Sequence, residues 1–170
     1  GVPNWVCWIV GGPQRPFELR YFEGLKQSVR ARGLERRIRF VGFQPDVARL
    51  LRAADMFCQP NTGPEPFGVA FVEALAAGLP VIATAIGGAQ EIVSQSCGLL
   101  VPAGDPYKLA AALRRLIDDV AFRRLLSADA PSRARELCDP QMQIGRLEEI
   151  LRRITRYPHH CERLGEKTSA

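Results

Sequence analysis

The stretch that most constrains this chain is Asn61 to Thr84, NTGPEPFGVAFVEALAAGLPVIAT. Gly63, Pro64 and Pro66 break regular structure, which places Glu65 in a constrained loop. From Phe67 to Ala77 the pattern turns helical, with Val69, Val72, Leu75 and Ala76 at core spacing. Gly78 terminates that helix, Pro80 prevents its continuation, and Val81-Ile82-Ala83 reads as a short buried strand. A loop, a helix and a strand this close together commit the chain to an α/β unit.

Two carboxylates frame the turn. Glu65 precedes the helix, and Glu73 lies almost two turns inside it. The first N–H groups of a helix lack intrahelical partners and carry partial positive charge, which favours a phosphate. Gly68 lets a diphosphate approach the backbone. A carboxylate only accepts hydrogen bonds, so Glu73 suits the vicinal hydroxyls of a ribose and Glu65 those of a sugar. As an isolated pair, however, the two acids read more simply as a helix cap and a solvated side chain.

The longer string carries more. Glu65-Pro66-Phe67-Gly68-Val69-Ala-Phe-Val-Glu73 and its continuation through Val81 resemble the E-x7-E segment of family 4 retaining glycosyltransferases, which have the GT-B fold. Phe40-Val-Gly-Phe43 and Val47-Ala-Arg-Leu-Leu-Arg-Ala-Ala-Asp55 are similar to the family's strand and helix upstream. Gly87-Gly-Ala-Gln-Glu91-Ile-Val93 and Gly98-Leu-Leu-Val-Pro-Ala-Gly-Asp105-Pro106 are similar to its downstream turns. The likeness covers roughly residues 6 to 126 in several ordered blocks.

The resemblance implies a donor site of Gly12, Gly42, Phe43, Glu65, Pro66, Phe67, Gly68, Val69 and Glu73, with Glu65 the catalytic candidate. Gly12 belongs to a glycine-rich turn near the donor phosphates, and Gly42 and Phe43 to the strand end that meets the base. Where the family often carries serine, this chain has Asn61. A nucleotide diphosphate sugar is the implied substrate. No cofactor and no metal are expected, since no D-x-D cluster is present. The family's donor domain opens with a strand and helix bearing an Arg and a Lys, yet only four residues precede Trp5. The acceptor-binding N-terminal domain is likewise outside the chain, so this chain alone is expected to be inactive or nearly so. A non-catalytic nucleotide-binding or protein-interaction module of the same fold, and a sugar-nucleotide epimerase, stay open beside the transferase.

Bulk properties agree with one globular domain. At 170 residues the chain can bury a substantial core, and 46% hydrophobic with 24% charged residues is ordinary. A net charge of +5 suits an anionic ligand or an acidic membrane surface, although the basic residues form no long run. No nucleic-acid module is visible. The five cysteines are scattered, with no zinc spacing; His159, His160 and Cys161 are adjacent but read as part of a terminal tail. Cys7 and Cys58 fall in predicted strands as small hydrophobes, which favours a reducing, cytoplasmic setting. No apolar run of about 18 residues suggests a membrane span, and peripheral contact at the inner face of a membrane stays open.

Taken in order, Trp5–Val10 predicts a buried strand ending at Gly11-Gly12-Pro13. A helix over 17–32 follows, with Leu19, Phe22, Leu25 and Val29 inward. Further strands are expected at Ile38–Val41, Met56–Cys58 and Leu99–Val101. Asp46 and Asp105 cap the helices beginning at Val47 and Pro106. Helices over Ala121–Ala128 and Gln141–Arg156 close the pattern. Alternating strands and helices imply a Rossmann-like parallel sheet with helices on both faces, one half of a GT-B enzyme. The expected domain runs 1–157, with 158–170 a flexible tail. In such sheets ligands bind beyond the carboxyl ends of strands, where Gly11, Gly42, Asn61–Gly68 and Gly87 all fall.

Overall fold

The computed structural model describes residues 5–156, and the chain divides into two compact units, Gly1–Leu137 and Cys138–Ala170. Strands and helices alternate as β1 (Cys7–Val10), α1 (Pro16–Ala31), β2 (Ile38–Gly42), α2 (Val47–Arg52), β3 (Phe57–Gln59) and α3 (Val69–Ala76). They continue as β4 (Val81–Thr84), α4 (Ala89–Ile92), β5 (Gly98–Val101), α5 (Pro106–Asp118) and α6 (Val120–Cys138). All pairings are parallel, in a two-stranded sheet β1-β2 and a three-stranded sheet β3-β4-β5. Parallel neighbours require a crossover, and the intervening helices supply it.

The centre of the three-stranded sheet is β4, every residue of which is buried. Its side chains alternate between faces, as a strand's must. Val81 and Ala83 join Phe71, Leu75, Ala89, Ile92 and Ala130 in one core. Ile82 instead joins Val101, Ala112, Leu116 and Leu126 in a second core on the opposite face. Helices therefore cover both faces, α3 and α4 on one and α5 on the other. Helix α6 contributes to both cores, with Leu126 in one and Ala130 and Ala134 in the other. Asp46 and Asp105 cap as expected: the Asp46 carboxylate accepts from Arg49 N–H at 3.0 Å, and Asp105 from Tyr107 and Lys108 N–H at 3.0 and 2.9 Å.

Four expectations are corrected. The central helix starts at Val69 rather than Phe67, because Gly68 sits at its N-cap in the left-handed region, φ 81°. The late start rotates the buried face to Phe71, Val72, Ala74 and Leu75, while Val69 and Ala76 are exposed. Strand β1 is not a buried strand. Val6, Trp8 and Val10 are exposed, since the strand pairs with β2 alone among the described residues. Helix α1 has no fully buried residue and Leu19 is exposed; its contact with the sheet is Phe22, edge-on to Phe40 at 5.3 Å. Helix α6 runs past its expected end at Ala128 to Cys138, through Pro131. An interior proline costs about 3 kcal/mol of helix propensity, but buried Ala130 and Ala134 on either side hold the helix to the core.

In the second unit, α7 (Pro140–Arg156) is capped by Asp139, whose carboxylate accepts from Gln141 N–H at 2.8 Å and Met142 N–H at 3.1 Å. Its apolar stripe, Ile144, Leu147, Ile150, Leu151 and Ile154, is exposed. The tail expected at 158–170, with His159, His160 and Cys161, lies outside the described residues. Among the described residues no helix is long and apolar enough to cross a membrane.

Cys58 on β3 packs its half-buried side chain against the second core. Burial, with a smaller contribution from the nearby Cys7 thiol, pushes its thiol from an ordinary value of 9.0 up to about 12. A folded value above the unfolded one stabilises the fold below pH ~9, and that contribution is lost as pH rises toward the folded value. At pH 8 the folded thiolate fraction is on the order of a thousandth of the unfolded one, so alkylation should slow accordingly. Peptide mapping after iodoacetamide treatment checks this; labelling of Cys58 as fast as in urea would contradict it.

Candidate functional site at the carboxyl ends of the strands

The segment between β3 and α3 is tied to its neighbours at several points. The Thr84 hydroxyl, at the end of β4, donates to the Asn61 carbonyl at 2.7 Å. The Asn61 side-chain amide donates to the Glu65 carboxylate at 3.4 Å. Gly88 N–H donates to the Glu65 carbonyl at 2.8 Å. The start of the loop is thus fastened to the end of β4, and its middle to the turn that follows. Thr84 is only 4% exposed, so its hydroxyl is satisfied by this bond rather than by water.

Glycine at 87 and 88 is what permits so close an approach. A β-carbon on Gly87, whose φ is +57°, would lie 2.5 Å from the Glu65 carbonyl oxygen and 2.9 Å from its nitrogen. One on Gly88 would lie 2.8 Å from the Phe67 carbonyl oxygen. The Gly87-Gly88 pair is the floor on which Glu65-Pro66-Phe67 rests.

Gly68 has a different reason for its identity than ligand approach alone. A β-carbon there would lie 2.4 Å from Cδ2 of Phe71, whose ring is buried in the core. Phe71 N–H donates to the Gly68 carbonyl at 2.9 Å, closing the first turn of α3. The fold requires glycine at this point whether or not a phosphate binds. Helix α3 has no side-chain cap and no acidic residue in its first turn, which leaves its leading N–H groups open to an anion.

Of the predicted residues, Glu65, Pro66, Phe67, Gly68 and Val69 form one continuous ledge before and at the start of α3. Glu65 is half-buried, while Pro66, Phe67 and Val69 are exposed. Glu73 is exposed in the second turn of the same helix. Gly12, Gly42 and Phe43 form a second group at the ends of β1 and β2, where Gly11 N–H donates to the Gly42 carbonyl at 2.8 Å. Phe43 is 85% exposed, an unusual position for a phenyl ring and one free to stack. Thr84 and Gly88 were not among the expected site residues. The signal for Thr84 was its place as the lone polar residue closing an apolar run; the signal for Gly88 was the Gly87-Gly88 pair itself.

Comparison with known proteins identifies the family. The family described as Glycosyl transferases group 1 matches residues 2–119. The chain is 40% identical over 129 residues to the lipopolysaccharide core biosynthesis glycosyltransferase LpsD of Rhizobium meliloti (75% of this chain, 35% of that protein). It is 43% identical over 104 residues to a phosphatidyl-myo-inositol mannosyltransferase of Mycobacterium leprae (59% and 28%). The chain thus spans about a third of these relatives. Among solved structures it is similar to Anabaena Alr3699/HepE in complex with UDP, with TM-score 0.82 and 32% identity over 88% of this chain and 41% of that one. It also matches the C-terminal domain of the group 1 glycosyl transferase LpcC of Francisella tularensis, with TM-score 0.71 and 30% identity over 77% and 68%. Ordered strands, the clamped loop and these matches agree: the chain belongs to the group 1 glycosyl transferases and has the parallel α/β architecture of their GT-B fold.

Proposed function

We propose that this chain is the donor-binding half of a retaining glycosyltransferase, moving a sugar from a nucleotide diphosphate sugar to an acceptor held by a domain outside the chain. The observation that carries this is the clamped Asn61–Gly68 ledge leading into the uncapped N-terminus of α3. On this reading the N–H groups of α3 receive the diphosphate and stabilise leaving-group charge as it develops. Glu73 accepts from the ribose hydroxyls, Glu65 from those of the sugar, and Gly42 and Phe43 meet the base. Gly12 lies near the phosphates. The chain alone is inactive, its chemistry needs no metal, and contact with a membrane is peripheral. The HepE structures, described as complexes with UDP and with UDP-glucose, make UDP the first nucleotide to try. Relatives named for lipopolysaccharide core and phosphatidyl-inositol make a lipid-linked acceptor the class to supply.

The test is a nitrogen-15 HSQC titration of the chain with UDP, GDP and ADP, repeated on Glu73→Gln. Saturable shifts clustered at Gly42, Gly68 and Glu73 for one nucleotide are expected. The variant should bind about ten- to a hundredfold more weakly, since a charge-assisted hydrogen bond contributes about 1.5–3 kcal/mol. A flat response to all three nucleotides would sink the reading for this chain. Binding without turnover, once an acceptor domain is supplied, would instead mark a non-catalytic module.

A further inference from the structure

We infer that Arg133 is a positioning residue for the Glu65–Phe67 ledge, acting on it through α4; its consequence for ligand binding rests on the function proposed above. Helix α4 has only four residues, too few to be stable by propensity. Its last carbonyls have no partner within the helix. The Arg133 guanidinium, reaching across from α6, supplies both. Nε donates to the Ile92 carbonyl at 3.0 Å, and Nη2 donates to the Glu91 carbonyl. Nη1 is taken by the Glu136 carboxylate at 2.7 Å, so each nitrogen of the fork is engaged.

The other end of the same helix meets the ledge. Glu91 and Ile92 N–H both donate to the Gly88 carbonyl at 3.1 Å, and Gly88 N–H in turn holds the Glu65 carbonyl. The Glu91–Ile92 peptide unit is therefore held at both ends: Arg133 grips its oxygen while its N–H donates to the Gly88 carbonyl. The base of this strut does not yield. Arg133 rises from between Ala130 and Ala134, both buried in the core that also holds Ala89, Ile92 and Val93. Its side chain is only 20% exposed. The planar fork spans two consecutive carbonyls, which a lysine ammonium on a flexible stem does not reproduce.

The experiment uses the full chain with Arg133→Met, which keeps an apolar stem, and Arg133→Lys. Amide hydrogen exchange is measured at Gly88, with Ile82 of the central strand as control, and UDP affinity by the titration above. In Arg133→Met, exchange at Gly88 should accelerate at least tenfold more than at Ile82, the Glu65 and Phe67 amides should shift, and UDP should bind at least fivefold more weakly. Arg133→Lys should fall between. Equal acceleration at Gly88 and Ile82 would mean general destabilisation and overturn the inference, as would an unchanged Gly88. A loosened Gly88 with unaltered UDP affinity would overturn its bearing on binding. If the unsubstituted chain does not bind UDP, the proposed function fails, while the exchange ratio at Gly88 still decides whether Arg133 holds the ledge.

Discussion

Truncating Phe71 to alanine is expected to destabilise the chain by about 3–5 kcal/mol, the range for emptying a phenyl-sized core site. The ring is 1% exposed and meets Phe57 edge-on at 6.2 Å. The same ring dictates glycine at position 68. Gly68→Ala should cost about 1–2 kcal/mol for a β-carbon in the left-handed region, and about 1–3 more for forcing the ring aside. In a Phe71→Ala background the second part disappears, because the ring is gone. Urea unfolding of both single variants and the double variant should therefore give a coupling of about 1–3 kcal/mol. Additive costs would show that Gly68 and Phe71 are independent.

Gly87→Ala should injure the site more than its exposed position suggests. Its positive φ disfavours any side chain, at a cost of about 1–3 kcal/mol. The added methyl also has no room, since it would lie 2.5 Å from the Glu65 carbonyl oxygen, and backbone cannot swing away as a side chain can. The ledge must move outward, and with it the hydrogen bond from Gly88. We expect loss of stability by thermal unfolding together with at least a tenfold loss of UDP affinity. Gly104→Ala is the control: φ is also positive, at +73°, but nothing lies near the added carbon. It should show strain in stability without the loss of binding. Equal effects of the two substitutions on affinity would refute the close-packing account.

Much of the fold was legible in the chain because it depends on local chemistry. Asp46 and Asp105 cap where an acid precedes a helix, and Val81–Thr84 is buried where an apolar run follows Gly78 and Pro80. The positions of Glu65 before α3 and Glu73 within it follow from the same punctuation. What the periodicity misjudged were faces and lengths. Val69 fits an inward helical position in sequence, but the left-handed turn at Gly68 starts the helix later and turns that side chain outward. Pro131 argues for a break, yet Ala130 and Ala134 pack so closely into the core that α6 continues.

The sequence by itself determined the order of strands and helices, the caps, the buried central strand and the chain's likeness to a glycosyltransferase family. These rest on residues that act within a few positions of themselves. Only the tertiary structure decided how the site is braced. Thr84 bonds Asn61, Gly88 bonds Glu65, and Arg133 bonds Glu91 and Ile92, each partner far away in sequence. Such contacts arise where packing brings distant backbone groups together, and no local pattern along the chain encodes which carbonyl a given hydroxyl, amide or guanidinium will meet.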